Sequence, residues 1–185
     1  MGSRIKKILI ANRGEIANRI TSTCSEMGIK TVAIFTKGEE HALHVQNADE
    51  SFNLGEGPLS RTYLNKEKIV QIAREFNCCA IHPGYGFLSE NGDFCKLVER
   101  SKIIFIGPKV EHINLMGDKI TSKKKMMEIG VPVIPGYQGD VQDSEGLKKQ
   151  ANIIGFPILI KATAGGGGKG MRIVHREEYF FNELA

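Results

Sequence analysis

The sequence predicts an α/β protein. A doubly wound domain on a parallel sheet comes first, and a smaller unit built on strand, glycine loop and strand follows. Three observations predict this. Short apolar runs alternate with helix-periodic stretches between residues 6 and 106, the grammar of right-handed β–α–β crossovers. After residue 110 the alternation stops, and Pro132 and Pro135 bar helix from the stretch they occupy. Five of the 21 glycines crowd between Gly165 and Gly170, between two apolar runs.

Lys6–Asn12 reads as a strand buried on both faces, because its apolar run is continuous. Arg13–Met27 follows as a helix with Ile16, Ile20, Cys24 and Met27 on one stripe, and Gly28 ends it. Thr31–Thr36 is the second strand. Residues 37–62 read as loop apart from a short helix at His41–Gln46. Tyr63–Phe76 is a helix with Leu64, Ile69, Ile72, Ala73 and Phe76 inward. Cys79–Pro83, Ser89–Arg100 and Lys102–Ile106 continue as strand, helix and strand. Ligands of such sheets bind at the carboxyl ends of the strands, where Asn12-Arg13-Gly14-Glu15 and His82-Pro83-Gly84-Tyr85-Gly86 fall. Residues 111–129 read as one helix, Val131–Pro135 as extended and Ser144–Ile154 as helix. Phe156–Ala162 and Met171–Val174 form a hairpin, and Glu177–Ala185 begins a helix.

Composition excludes several classes. With 41% hydrophobic and 25% charged residues in 185, the chain buries a core and is not disordered. No apolar run reaches the ~18 residues that a membrane span needs. The 25 basic and 21 acidic residues form no basic field, which argues against nucleic acid. Lys123-Lys124-Lys125 reads as a solvated helix face. Cys24, Cys78, Cys79 and Cys95 make no C-x-x-C pair and read as free thiols in a reducing compartment. The first strand begins by residue 6, leaving no room for a signal peptide, so the expected compartment is the cytoplasm or the mitochondrial matrix. His41 and His44 lack a third ligand for a metal. Met126 and Met127 read as core filler. Arg13 and Glu15 either pair locally or Glu15 favours the helix N-terminus.

The glycine loop carries the sharpest chemistry. Gly165, Gly166, Gly167 and Gly168 are costly to order, but their N–H groups can close round phosphate oxygens with no Cβ in the way. Lys169 follows them. A Walker A loop fails because Gly170 stands where Ser or Thr is needed, and the Gly84-Tyr85-Gly86 stretch lacks the third glycine of a dinucleotide fingerprint. Lys161 ends an apolar strand, on the same face as Leu159 and Pro157. A lysine on an otherwise apolar face calls for an anion. Lys119, after Met116-Gly117-Asp118, reads by itself as a solvated helix residue.

Five stretches then occur in one order: KILIANRGEIANRI (7–20), AIHPGYGFLSEN (80–91), FIGP (105–108), MGDK (116–119) and ILIKATAGGGGKGMRIV (158–174). With them the chain closely resembles the N-terminal part of biotin carboxylase, the ATP-grasp component of biotin-dependent carboxylases, over residues 4–185. VPVIPGYQGD (131–140) resembles the acyl-CoA carboxylase α-subunit type. The resemblance implies a Rossmann-like pre-ATP-grasp domain at 1–114, a connector helix at 115–130 and a truncated ATP-grasp lid subdomain at 131–185. It implies that ATP and bicarbonate give carboxyphosphate, and that a biotin on a carrier domain is carboxylated. Lys119, Lys161, Gly165–Gly168, Lys169 and Met171 would bind the nucleotide, with Met171 against the adenine. His82 and Gly84 would line the cleft, and Arg19 would lie on a homodimer surface. The Mg²⁺ ligands and the groups for bicarbonate and biotin would come after residue 185, so the chain is expected to be inactive alone. The alternative is a non-catalytic nucleotide-binding or oligomerisation module. The HPGYGFLSEN stretch speaks against another ATP-grasp ligase, and the failed fingerprint against a dehydrogenase.

Overall fold

The computed structural model describes residues 5–137, 139–161 and 170–184. The chain divides into two compact units, Met1–Ser122 and Lys123–Ala185.

The first unit is built on five parallel strands: β1 (Lys7–Ile10), β2 (Lys30–Phe35), β3 (Glu50–Asn53), β4 (Ala80–His82) and β5 (Ile104–Phe105). Their order is β3-β2-β1-β4-β5. The predicted fold class is therefore the one found, with one strand more than the apolar runs announced. Alternation along β1 sends Ile8 and Ile10 to one face and Leu9 and Ala11 to the other. Helix α1 (Gly14–Glu26) covers the first face with Ala17, Ile20 and Cys24. Between β2 and β3 lies a one-turn helix, α2 (Leu43–Gln46). Helices α3 (Lys66–Glu75) and α4 (Gly92–Arg100) cover the second face with Ile69, Ile72 and Ala73, and with Phe94, Cys95 and Val98. Each fully buried aliphatic or aromatic side chain contributes about 1.5–3 kcal/mol, so the two-sided burial of β1 makes it the centre of the unit.

Several expected elements are corrected. β3 lies inside the stretch read as loop. Its residues are exposed except for the half-buried Phe52, so it carries no apolar pattern. Backbone pairing with β2 makes the strand, from Val32 opposite Glu50 to Phe35 opposite Asn53. Met27 caps α1 instead of joining its stripe and is exposed. α3 starts later than read, because the Asn65 carboxamide accepts the Lys68 N–H at 3.0 Å and caps it. Asn91 does the same for α4 through the Phe94 N–H at 2.9 Å. The helix read over 111–129 is two helices, α5 (Val110–Gly117) and α6 (Lys119–Glu128). Asp118 divides them with extended backbone (φ −97°, ψ 112°), and its carboxylate accepts the Thr121 N–H at 2.6 Å. An aspartate that caps the next helix cannot also continue the last one.

In the second unit α7 (Ser144–Ile154) opens on Asp143, whose carboxylate accepts the Gly146 N–H at 2.8 Å. Strands β6 (Ile158–Lys161) and β7 (Met171–Val174) pair antiparallel. The helix expected at 177–185 is a 3₁₀ turn at Glu177–Tyr179 followed by α8 (Phe180–Leu184). Among the described residues the core is small: Ala151, Val174 and Phe180, with Leu147, Phe156, Ile158, Ile160 and Leu184 packed round them. Met127, read as core filler, is exposed, and Met126 is half-buried. No helix among the described residues is long and apolar enough to cross a membrane.

Candidate functional site

In the first unit the strand order places β1 between β2 and β4, so the crossovers leave β1 in opposite directions. That switch point opens a crevice at the carboxyl ends of the strands. The loops after β1 and β4 meet there. A cavity of about 270 Å³ is lined by Asn12, Arg13, Glu15, Ile16, Tyr85, Gly86 and Phe87. Tyr85 and Gly86 form the wall on the β4 side, while His82 and Gly84 shape the turn that carries them. His82 Nδ1 accepts the Gly84 N–H at 3.0 Å. Burial holds the His82 imidazole below its ordinary pKa, which keeps Nδ1 an acceptor. The Tyr85 hydroxyl donates to Glu15 at 3.0 Å.

Arg13 does not pair with Glu15. Its guanidinium reaches Glu39 at 3.0 Å and lies over the rings of Tyr63 (5.4 Å) and Phe87 (5.7 Å). Those rings stack on each other with centroids 5.1 Å apart. Glu39 also accepts from the Tyr63 hydroxyl at 2.6 Å and from the Thr36 N–H and hydroxyl at 2.8 and 2.6 Å. Burial opposes ionisation of Glu39, but these donors outweigh it and hold the carboxyl at about 2. Burial first, and then the hydrogen bond to Glu39 and its charge, push the Tyr63 hydroxyl up. Sequence reasoning missed Glu39, Tyr63 and Phe87 as partners of Arg13. The only signal was a tyrosine, a residue whose hydroxyl needs a partner when buried.

In the second unit the register of the hairpin pairs Lys161 with Met171 and Leu159 with Ile173. All four residues share one face. That face is open: Leu159 is 45%, Met171 44% and Ile173 59% exposed, and Lys161 is exposed as well. Lys161 is thus on an apolar face, as read, but its charge is solvated and needs no buried partner. Ile158 and Ile160 turn to the core instead. Lys119 is the first residue of α6, and its side chain lies outside what is described. Gly165, Gly166, Gly167, Gly168 and Lys169 also lie outside the described residues.

Arg19 is exposed on α1 and donates to the Thr23 hydroxyl. Cys24, Cys78 and Cys95 are free and buried, and Cys79 is free and half-buried. Among the described residues no three His, Cys, Asp or Glu side chains converge on a point that could hold a metal ion.

Residues 4–113 match the biotin carboxylase N-terminal domain family. Residues 118–185 match the ATP-binding domain of the carbamoyl-phosphate synthase L chain. The chain is 54% identical over 174 residues to the mitochondrial methylcrotonoyl-CoA carboxylase subunit alpha of Dictyostelium discoideum, covering 94% of this chain and 25% of that protein. It is 49% identical over 180 residues to biotin carboxylase 1 of Bacillus subtilis, covering 97% and 40%. Among solved structures it superposes on a biotin carboxylase–β-γ-ATP complex from Campylobacter jejuni with TM-score 0.87 at 46% identity, covering 97% of this chain and 40% of that one. The biotin carboxylase domain dimer of Hydrogenobacter thermophilus 2-oxoglutarate carboxylase, in complex with MgADP, ADP and bicarbonate, gives TM-score 0.84 at 51% identity, covering 96% and 39%. The chain spans between a quarter and two fifths of the length of these relatives. In sequence and in fold, the chain belongs to the biotin carboxylase family, and it corresponds to the N-terminal part of those enzymes.

Proposed function

We propose that this chain is the segment of a biotin carboxylase that carries the switch-point cavity and the strands flanking the phosphate loop. The complete enzyme uses ATP and bicarbonate to carboxylate biotin on a carrier protein through carboxyphosphate. The observation that carries the reading is the open hairpin face. Leu159, Met171 and Ile173 offer an apolar platform for a flat purine, and Lys161 sets a cation at its edge. The fit to ATP is one of chemistry: an aromatic base wants apolar contact, and phosphates want fixed cations and N–H groups. When bound, the nucleotide supplies the phosphoryl group that activates bicarbonate. Lys161, with Lys119 and the loop of Gly165–Gly168 and Lys169, would stabilise charge on that group. The described residues do not fit a Mg²⁺ site, since no group of ligands converges. No step is assigned to a metal on them.

The switch-point cavity is assigned to one wall of the acceptor's cleft, opposite the bicarbonate and biotin groups expected after residue 185. Ile16, Tyr85 and Phe87 give it carbon walls; its Arg13 guanidinium is already paired with Glu39, and the Glu15 carboxylate opposes a small anion. The exposed α1 surface round Arg19 is assigned to a homodimer contact. The free thiols suit the cytoplasm or the mitochondrial matrix.

The test is carboxylation of biotin from labelled bicarbonate by the complete carboxylase containing this segment. Lys161→Ala is expected to lower kcat/KM for ATP by about 10²–10³, the usual cost of one charge-stabilising group. The 185-residue chain alone is expected to show no bicarbonate-dependent ATP cleavage. Turnover by that chain, abolished by Lys161→Ala, would overturn the reading of it as an incomplete catalyst.

A further inference from the structure

Asn12 follows β1 and is 3% exposed. Its side-chain nitrogen donates to the Pro83 carbonyl at 2.8 Å and to the Tyr85 carbonyl at 2.8 Å. Its Oδ1 accepts the Arg13 N–H at 2.9 Å. Both amide hydrogens are therefore engaged, and the amide oxygen accepts once, so three of the carboxamide's four hydrogen-bonding places are used. The last backbone bond between the two segments is Ala11 N–H to the His82 carbonyl, at 2.8 Å. Beyond it the Asn12 side chain continues the pairing of β1 with the segment after β4.

The loop is shaped to receive that side chain. Two carbonyls, two residues apart, face a single NH₂ group, so Gly84 between them must pass directly over it. Gly84 does so at φ +66°, and a Cβ there would stand 2.7 Å from Asn12 Nδ2. Its own N–H turns back to His82 Nδ1. The result carries Tyr85 and Gly86 to the cavity mouth, with Tyr85 62% exposed and tied to Glu15. Few other side chains can do this. Aspartate keeps the size and the acceptor but lacks both donors, and serine offers one donor only.

We propose that Asn12 is a positioning residue: its carboxamide sets the conformation of the Pro83–Gly86 loop and thereby the acceptor side of the cleft. It need not touch a substrate. The inference rests on the proposed carboxylation of biotin, with the acceptor at this cavity.

The experiment is steady-state kinetics of the complete carboxylase containing this segment, with free biotin as acceptor. The variants are Asn12→Asp, Asn12→Ala, Gly84→Ala and the double variant Asn12→Ala/Gly84→Ala. Asn12→Asp and Asn12→Ala are expected to raise KM for biotin at least tenfold, while KM for ATP moves less than twofold. Gly84→Ala approaches from the other side of the contact and is expected to give the same split. Its extra effect shrinks in the Asn12→Ala background, where Nδ2 and Cγ are gone, but does not vanish, because Asn12 Cβ at 3.1 Å and the φ of +66° remain. Circular dichroism establishes that each variant is folded. If the wild-type enzyme does not carboxylate biotin, the functional reading fails, and the Asn12 assignment falls with it. If wild type is active and the variants keep its KM for biotin, only the Asn12 assignment fails. Equal losses for ATP and biotin, or loss of the fold in both single-site series, would show a merely structural asparagine and overturn the proposal.

Discussion

Glu39 shows how one carboxylate organises the residues behind the cavity. It takes hydrogen bonds from Thr36, Tyr63 and Arg13, and through Arg13 it fixes a cation over two stacked rings. Its carboxyl falls from an ordinary 4.5 to about 2 on folding. A folded-state pKa below the unfolded one adds stability above pH 4.5, and the contribution disappears as pH falls from 4.5 towards 2. A shift of that size corresponds to about 3–4 kcal/mol at neutral pH, which solvent screening of a side chain 22% exposed reduces to about 2–3 kcal/mol. Glu39→Gln should therefore destabilise the protein by about 2 kcal/mol in urea unfolding at pH 7, and the gap to wild type should shrink as pH falls below 4.5 and close near pH 2. A gap that stays constant with pH would show that the charge contributes nothing. None of this was legible in the sequence. Glu39, Tyr63 and Phe87 are far apart along the chain, and Glu39 sits in a stretch without periodicity, so only the fold brings them to Arg13. Lys161 was half legible: alternation assigned its face-mates, but alternation does not say which face of a two-stranded hairpin meets the core.

Elements carried by apolar periodicity were read well, and those carried by something else were not. β1, β2 and β4 are buried runs, and the amphipathic α1, α3, α4 and α7 differ from their expected spans mainly where a side-chain cap or the helix end intervenes. β3 was invisible because backbone pairing and polar ties hold it at the sheet edge: Asp49 accepts the Thr31 N–H at 2.9 Å, and Lys7 pairs with Glu50 at 2.6 Å. The α5–α6 break was hidden because Asp118 lies inside a continuous helical spacing and acts through its cap. The hairpin unit depends on few side chains. Phe180 is fully buried against Val174 and Ala151, and Phe→Ala in a core costs about 3–5 kcal/mol. A core this small has little to spare. Phe180→Ala should strip hydrogen-exchange protection from the β6 and β7 amides by at least tenfold, as read by mass spectrometry. Unchanged protection would place the stability of the hairpin elsewhere.

Over the whole molecule, stability and chemistry are distributed unevenly. The first unit has a sheet buried on both faces and a cavity at its switch point. The second has, among its described residues, three buried apolar side chains and the open hairpin face proposed for the nucleotide. A ligand site normally encloses most of its ligand, and one strand face covers a purine from one side only. Ordering the glycines between residues 165 and 170 costs about 2–5 kcal/mol relative to alanines. Charge-assisted hydrogen bonds to phosphate, at about 1.5–3 kcal/mol each, roughly offset that cost without leaving a large surplus. Lys161 is solvent-exposed, so its attraction to phosphate is screened by salt. Together these set a weak limit for the 185-residue chain: Kd for ATP above about 1 mM, or about −4 kcal/mol. Calorimetry with Mg²⁺ and ATP at about 0.1 mM should then show no saturable heat, and Lys161→Ala should be indistinguishable from wild type. A micromolar Kd, lost in Lys161→Ala, would mean that the hairpin and its loop already make a complete nucleotide site. The chain would then act as a binding module in its own right.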